Sequence, residues 1–137
     1  MCFFLFVHES LVRRFANDVV GPKVREMDEK EMMSPDVMKG LFQQGVSDTR
    51  LFIFSETTPT HIAQLMGIET SADLGGAESS FTAAVIVIEE LAKVDPSVSV
   101  LCDVHNTLVN TIFRKYASPE QQRQYLPQLS ESKVHSQ

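Results

Sequence analysis

The sequence predicts an all-α domain, a helical bundle, and three observations carry that prediction. The first is residues 81–94 (FTAAVIVIEELAKV), the densest apolar run in the chain, whose polar members are Thr82, Glu89, Glu90 and Lys93. Its β-branched part, Val85-Ile86-Val87-Ile88, would suit a buried strand on its own. The good helix formers Glu89-Glu90-Leu91-Ala92-Lys93 carry the segment past strand length, so it reads as a helix. A helix apolar over most of its circumference is expected to be buried over most of it. The second observation is Asp95-Pro96. Proline disfavours helix in the residue before it and suits the first helical position, with Asp95 as N-cap. One helix therefore ends here and another begins at a tight corner. The third is a pair of proline-marked starts, Ser34-Pro35-Asp36 and Ser118-Pro119-Glu120-Gln121, the second with Gln121 placed to complete a capping box.

Taken in order, residues 1–7 (MCFFLFV) are apolar but short, and they lack the basic flank of a secretory signal and the Arg/Ser-rich look of a presequence. A strand or a frayed apolar end is expected there. Residues 9–24 form the first helix, with Leu11, Val12, Phe15, Val19 and Val20 at helical spacing, and Gly21-Pro22 marking its end or a kink. Residues 25–33 are charge-rich and expected to be exposed. The next helix carries an apolar stripe of Val37, Met38, Leu41 and Phe42, with Gly45 at the C-terminal cap.

Residues 46–64 (VSDTRLFIFSETTPTHIAQ) break the pattern. Leu51-Phe52-Ile53-Phe54 could form a short strand and the remainder reads as loop. Looping out such a segment costs about 1–2 kcal/mol because closure entropy grows slowly with length. Forcing Leu51–Phe54 into a packed core costs about 1–3 kcal/mol or more. The segment is therefore expected to bulge out, poorly ordered, between undisturbed helices. The chain resumes at Leu65, turns at Asp73-Leu74-Gly75-Gly76, and enters the two central helices. In the second, residues 96–107, Val100, Val104 and Leu108 share one face at i, i+4, i+8. Residues 109–116 continue it on Ile112 and Phe113. The last helix is expected to bury Tyr125, Leu126 and Leu129 before a polar tail.

At 137 residues the chain is one domain with a real core. A net charge of −6 argues against a nucleic-acid partner, whose phosphates require a basic face. No segment reaches the roughly 18 apolar residues of a membrane span. Cys2 and Cys102 form no disulfide framework, which makes a reducing compartment the default. The candidate chemistry is sparse. Glu89 and Glu90 point about 100° apart on a helix and cannot share a reacting atom. One is expected to face water and the other to make a structural ion pair. Cys102 and His105, at i, i+3, could ligate a metal, but no second pair accompanies them and core packing is the better reading. Gly75-Gly76 lacks the strand and the G-x-G-x-x-G spacing of a dinucleotide site and reads as a turn.

Five stretches go further: GLFQQG (40–45), LMGIE (65–69), VIEELAKVDPSVSV (87–100), NTL (106–108) and EQQ..YLPQL (120–129). Together, and in this order, they resemble the N-terminal helical domain of the acyl-CoA dehydrogenases, most closely the short/branched-chain members. In the family the segments flanking 46–64 are continuous, so those residues interrupt a family segment. The family's Glu-Tyr-Gly-Gly-x-Gly loop is here Asp73-Leu74-Gly75-Gly76-Ala77-Glu78.

The resemblance implies a flavoprotein that removes two hydrogens from the α and β carbons of an acyl-CoA, with FAD as cofactor. It also implies a homotetramer in the mitochondrial matrix, although no presequence is visible. The family's middle β domain and C-terminal helical domain, which hold the flavin and the catalytic glutamate, are expected to be absent. This chain is therefore expected to be inactive alone and not to retain FAD. The helical domain contributes one wall of the acyl-tail cavity, and alignment through Asn106-Thr107-Leu108 assigns Val100, Leu101, Val104, His105 and Leu108 to it. The alternative is a non-enzymatic interaction module that exposes the same face to a partner.

Overall fold

A computed structural model describes residues 2–43 and 64–130, with side chains placed from residue 9 through 42 and from 64 onward. The segment expected as an insertion lies, but for Gln64, outside the described residues, as do the Gly45 cap and the candidate strand at 51–54. Among the described residues the chain is helical, with no strand.

The first helix, α1, spans Cys2–Phe15 and so begins earlier than expected. Residues 2–7 are helical, not a strand or a frayed end. A strand needs a partner, which the described residues do not provide, whereas a helix already nucleated at 9–15 adds one hydrogen bond per further residue. Gly21-Pro22 kinks the chain without ending it. Proline has no N–H to give the preceding turn. The backbone adapts with a wide π turn at Ala16–Val20 and a tight 3₁₀ turn at Gly21–Lys23, then continues as α2, Val24–Lys30. As its charge suggested, α2 is mostly exposed, with Met27 as its buried anchor. It stops where Glu31 turns left-handed, φ 51°, and frees the chain for α3, Pro35–Gln43. Val37, Leu41 and Phe42 are buried on α3 as its stripe predicts.

Residues 64–80 are turns that close at Gly75, whose φ of 81° suits glycine. The next helix, α4 (Phe81–Ala92), starts at Ser80, whose hydroxyl accepts from the Ala83 N–H. Its burial is narrower than its composition implied. Ala83, Ala84, Val87, Glu90 and Leu91 are buried, while Phe81 and Val85 face outward. Two alanines let α1 approach closely, so one side of the helix supplies the core and the apolar surplus is left on the other.

Asp95 caps α5 (Pro96–Val104), accepting from Ser97 N–H at 2.7 Å and Val98 N–H at 2.9 Å. Ser99 Oγ donates to Ile88 O at 2.8 Å, fastening α5 antiparallel to α4. From α5 the chain passes through a second π turn, His105–Asn110, into α6, Thr111–Tyr116. The capping box forms before α7 (Pro119–Ser130): Ser118 N–H donates to Gln121 Oε1 at 2.9 Å and Gln121 N–H to Ser118 Oγ at 3.3 Å. On α7, Leu126 is fully buried and Leu129 half-buried. Tyr125 departs from expectation: it is exposed and rests against the Phe113 ring, centroids 5.3 Å apart.

The two glutamates divide as expected. Glu89 is exposed. Glu90, 4% exposed, bonds Arg13 Nε at 3.0 Å and the ammonium of Lys93, tying α1 to α4. The Arg13 hydrogen bond, against the opposing effect of burial, holds the Glu90 carboxyl below its usual range.

Candidate functional site

The helix formed by α5, the π turn and α6 has two rows with opposite roles. The inward row is Val98, Cys102, Asn106, Asn110 and Arg114, at four-residue steps. The wider i→i+5 turns at 105–110 keep such a row on one face longer than an ideal α-helix would. This row meets the non-helical segment 65–69, in which Leu65, Met66 and Ile68 are fully buried. A buried segment without regular structure still has peptide groups to satisfy.

The row satisfies them residue by residue. Asn106 Nδ2 donates to Leu65 O at 2.8 Å and to Cys102 O at 2.9 Å, while its Oδ1 accepts from Ile68 N–H at 3.0 Å. Asn110 Nδ2 donates to Met66 O at 2.8 Å. Arg114 Nη1 donates to Glu69 O at 2.9 Å, and its Nη2 pairs with the Glu69 carboxylate at 3.3 Å. Cys102 Sγ adds a bond to Leu65 O at 3.2 Å, and burial pushes its thiol up to about 12. Sequence reasoning missed this ladder. Its signal is the four-residue spacing of amide, amide and guanidinium inside an otherwise apolar helix.

The outward row is Val100, Val104, Leu108 and Ile112, respectively 59%, 43%, 56% and 50% exposed. Phe81, at the start of α4, lines an open hollow of about 400 Å³ together with Thr107, Thr111, Arg114, Lys115 and Glu69, none of them a member of this row. The five residues assigned to the acyl wall are therefore split. Val100, Val104 and Leu108 form the open row, whereas Leu101 packs against the core and His105 is half-buried. His105 Nε2 donates to Leu129 O at 2.9 Å, and its ring meets Phe42 edge-on at 5.9 Å. Cys102 and His105 thus serve different packing contacts, and no group of three metal-ligating side chains occurs among the described residues.

Gly75-Gly76 is not a phosphate-cradling loop. The glycine pair packs on its own chain: a Cβ on Gly76 would collide with the Thr70 carbonyl. Gly75-Gly76 is the expected turn, its backbone amides bonded to Ala72 O and Ser71 O at 3.1 and 3.0 Å. No helix among the described residues is long and apolar enough to cross a membrane.

The sequence pattern of the family described as "Acyl-CoA dehydrogenase, N-terminal domain" matches residues 60–133. The chain is 43% identical over 128 residues to the mitochondrial short/branched chain specific acyl-CoA dehydrogenase of Rattus norvegicus, covering 93% of this chain and 25% of the relative. It is 39% identical to a probable short/branched chain specific acyl-CoA dehydrogenase of Dictyostelium discoideum, covering 93% of this chain and 26% of the relative. It thus spans about a quarter of the length of these relatives. A solved structure of the electron transferring flavoprotein of Acidaminococcus fermentans shares the fold, with a TM-score of 0.75 at 19% identity, over 93% of this chain and 29% of that one. A 43%-identical relative, a match across most of the helical core and an all-helical architecture agree: the chain belongs to the acyl-CoA dehydrogenase family, as an N-terminal helical domain.

Proposed function

We propose that this chain supplies one wall of the acyl-binding cavity of a flavin-dependent dehydrogenase acting on a short or branched acyl-CoA. The observation that supports the reading is the open row Val100, Val104 and Leu108 on a helix whose opposite row is bonded to the core. A wall that is apolar, and fixed from behind by Asn106, Asn110 and Arg114, can sort acyl tails by fit. One methylene is worth about 1–3 kcal/mol in such a pocket. His105, bonded to Leu129 O, closes the wall from the side and orders the flank.

Glu90 is paired with Arg13 and Lys93 and ties α1 to α4, so its role is structural. Proton abstraction and the flavin belong to segments that the relatives carry beyond the matched quarter. Flavin held by those segments would supply the hydride acceptor. By likeness to the mitochondrial relatives we assign the chain to the mitochondrial matrix and the complete enzyme to a homotetramer.

The test is a chimera in which this chain replaces the matching quarter of the rat enzyme, assayed by dye reduction over a series of acyl-CoA lengths. Leu108→Trp and Val104→Phe narrow the wall and shift the kcat/KM ratio toward shorter acyl groups by about tenfold or more. An active chimera whose length preference ignores both substitutions overturns the reading.

A further inference from the structure

The core helices are tied to one another by polar bonds as well as by packing. Arg13 and Glu90 join α1 to α4, Ser99 joins α5 to α4, and the amide ladder joins α5 and α6 to residues 65–69. In α2 the polar bonds turn inward instead. Among the described residues, the side-chain hydrogen bonds and ion pairs of residues 25–32 stay within residues 23–30. Glu26 pairs with Lys23 at 3.3 Å and with Lys30 at 2.8 Å, and Arg25 pairs with Glu29 at 2.8 Å. The amides of Glu31 and Met32 bond back to Asp28 O and Met27 O, each at 3.2 Å. What fastens α2 to the body is therefore packing. It falls to Met27, 8% exposed, with Val24 half-buried at the first position, while residues 25, 26 and 28–32 are exposed.

Both ends of this element are places where the chain can turn. Upstream lie Gly21-Pro22 and the 3₁₀ turn at Gly21–Lys23. Downstream Glu31 holds a left-handed φ of 51°, a conformation that strains a residue with a side chain. A short helix with local polar bonds, one buried anchor and a turn at each end opens at the low end of a domain's stability range while the other helices stay packed.

The anchor is also the side chain most open to chemical change. A thioether takes an oxygen atom from a peroxide: the O–O bond breaks, one oxygen bonds to sulfur, and the other leaves as water. Sulfur is oxidised by two electrons and the peroxide is reduced. The resulting sulfoxide is polar and no longer suits an apolar site. We infer that α2 is a hinged flap latched to the domain by Met27, and that oxidation of Met27 to its sulfoxide by hydrogen peroxide leaves the flap open. Reduction of the sulfoxide resets the latch. The inference rests on how α2 is fastened within this chain and is independent of the acyl wall on α5.

The experiment is hydrogen exchange read by peptide mass spectrometry on the 137-residue chain, before and after hydrogen peroxide, with circular dichroism as the control for folding. Before treatment, the amides of residues 25–31 should exchange about tenfold or more faster than those of residues 84–91 in α4. Under peroxide Met32, 65% exposed, should oxidise first, Met27 next as the flap opens, and Met66, 1% exposed, last. The chain oxidised at Met27 should exchange about tenfold faster again across α2 with α4 unchanged, and methionine sulfoxide reductase should restore the protection. Met27→Leu keeps an apolar anchor without the sulfur, so its α2 should stay protected through the same treatment. Exchange of α2 in step with α4 overturns the inference, as does oxidation of Met27 no faster than that of Met66. So does unchanged α2 protection once Met27 is oxidised, or a loss of α2 protection in the treated Met27→Leu chain, which would move the switch to another methionine.

Discussion

Asn106→Ala is the substitution from which the fold should suffer most clearly. The side chain is 2% exposed and makes three hydrogen bonds to backbone groups, two of them to the segment 65–68, besides a long one to Cys102 Sγ at 3.7 Å. Each bond contributes about 1 kcal/mol net, and stranding the buried Ile68 N–H adds about 1–3 kcal/mol. Leu65 O keeps the Cys102 thiol and loses less. The expected loss is therefore about 3–5 kcal/mol, a fifth or more of the roughly 5–15 kcal/mol stability of a typical domain. Urea unfolding followed by circular dichroism measures the loss, and hydrogen exchange at the Ile68 amide locates it. Asn106→Asp sharpens the test. A carboxylate can still accept from Ile68 N–H but cannot donate to the Leu65 and Cys102 carbonyls, so the variant is at least as unstable at neutral pH. Burial beside those carbonyls raises the pKa of the new carboxyl in the folded state, so the folded state takes up the proton more readily. Stability is then partly regained as pH falls, when the neutral acid can donate again. A loss below about 1 kcal/mol with the Ile68 amide still protected would refute the claim that this side chain holds the segment in place.

Three further outcomes follow from the same geometry. The Glu90 carboxyl, held low chiefly by its Arg13 hydrogen bond, contributes stability that is full above the ordinary carboxylate value of 4.5 and is lost as pH falls through its lower folded value; Glu90→Gln should remove that part of the acid limb in pH-dependent urea unfolding, and an unchanged limb would assign it elsewhere. A Cβ on Gly67 would lie 2.5 Å from Ser130 Oγ and 2.9 Å from its Cβ; Gly67→Ala should cost about 2–3 kcal/mol and Ser130→Gly should recover part of it, giving a coupling energy of at least about 0.5–1 kcal/mol in the double-mutant cycle. Cys102, buried and with its thiol pushed up to about 12, should resist alkylation in the folded chain at pH 8 and label only on unfolding, as read by peptide mass spectrometry.

Much of the fold is legible in the chain because its helix boundaries are written in local chemistry. Ser34-Pro35, Ser80, Asp95-Pro96 and the Ser118/Gln121 box each start a helix where the backbone requires a cap. What the sequence hides is which face turns inward. On α5 the row Val100, Val104, Leu108 is more hydrophobic than the row Val98, Cys102, Asn106, Asn110, and hydrophobicity alone would bury the wrong one. The amides win the interior because residues 65–69 bring unpaired peptide groups there, a demand invisible from α5 itself. The same demand explains the split of the acyl-wall set. Leu101 and His105 sit on the flank nearer the inward row, and their neighbours Val100, Val104 and Leu108 are left outside. The sequence hides the start of α1, where a strand or a frayed end is expected, for a related reason. A run such as Phe3-Phe4-Leu5-Phe6 carries no periodicity, and only its continuity with 9–15 makes it helix.

The proposal that Val100, Val104 and Leu108 meet an acyl tail is open to photolabelling. In the chimera with the rat enzyme, an acyl-CoA with a diazirine at the end of a short acyl chain is photolysed in the bound state and the labelled peptides are sequenced. Label on Val100, Val104 or Leu108, competed away by unmodified acyl-CoA, is the predicted result. Efficient competed labelling elsewhere in the cavity, with residues 96–110 unmodified, would contradict it.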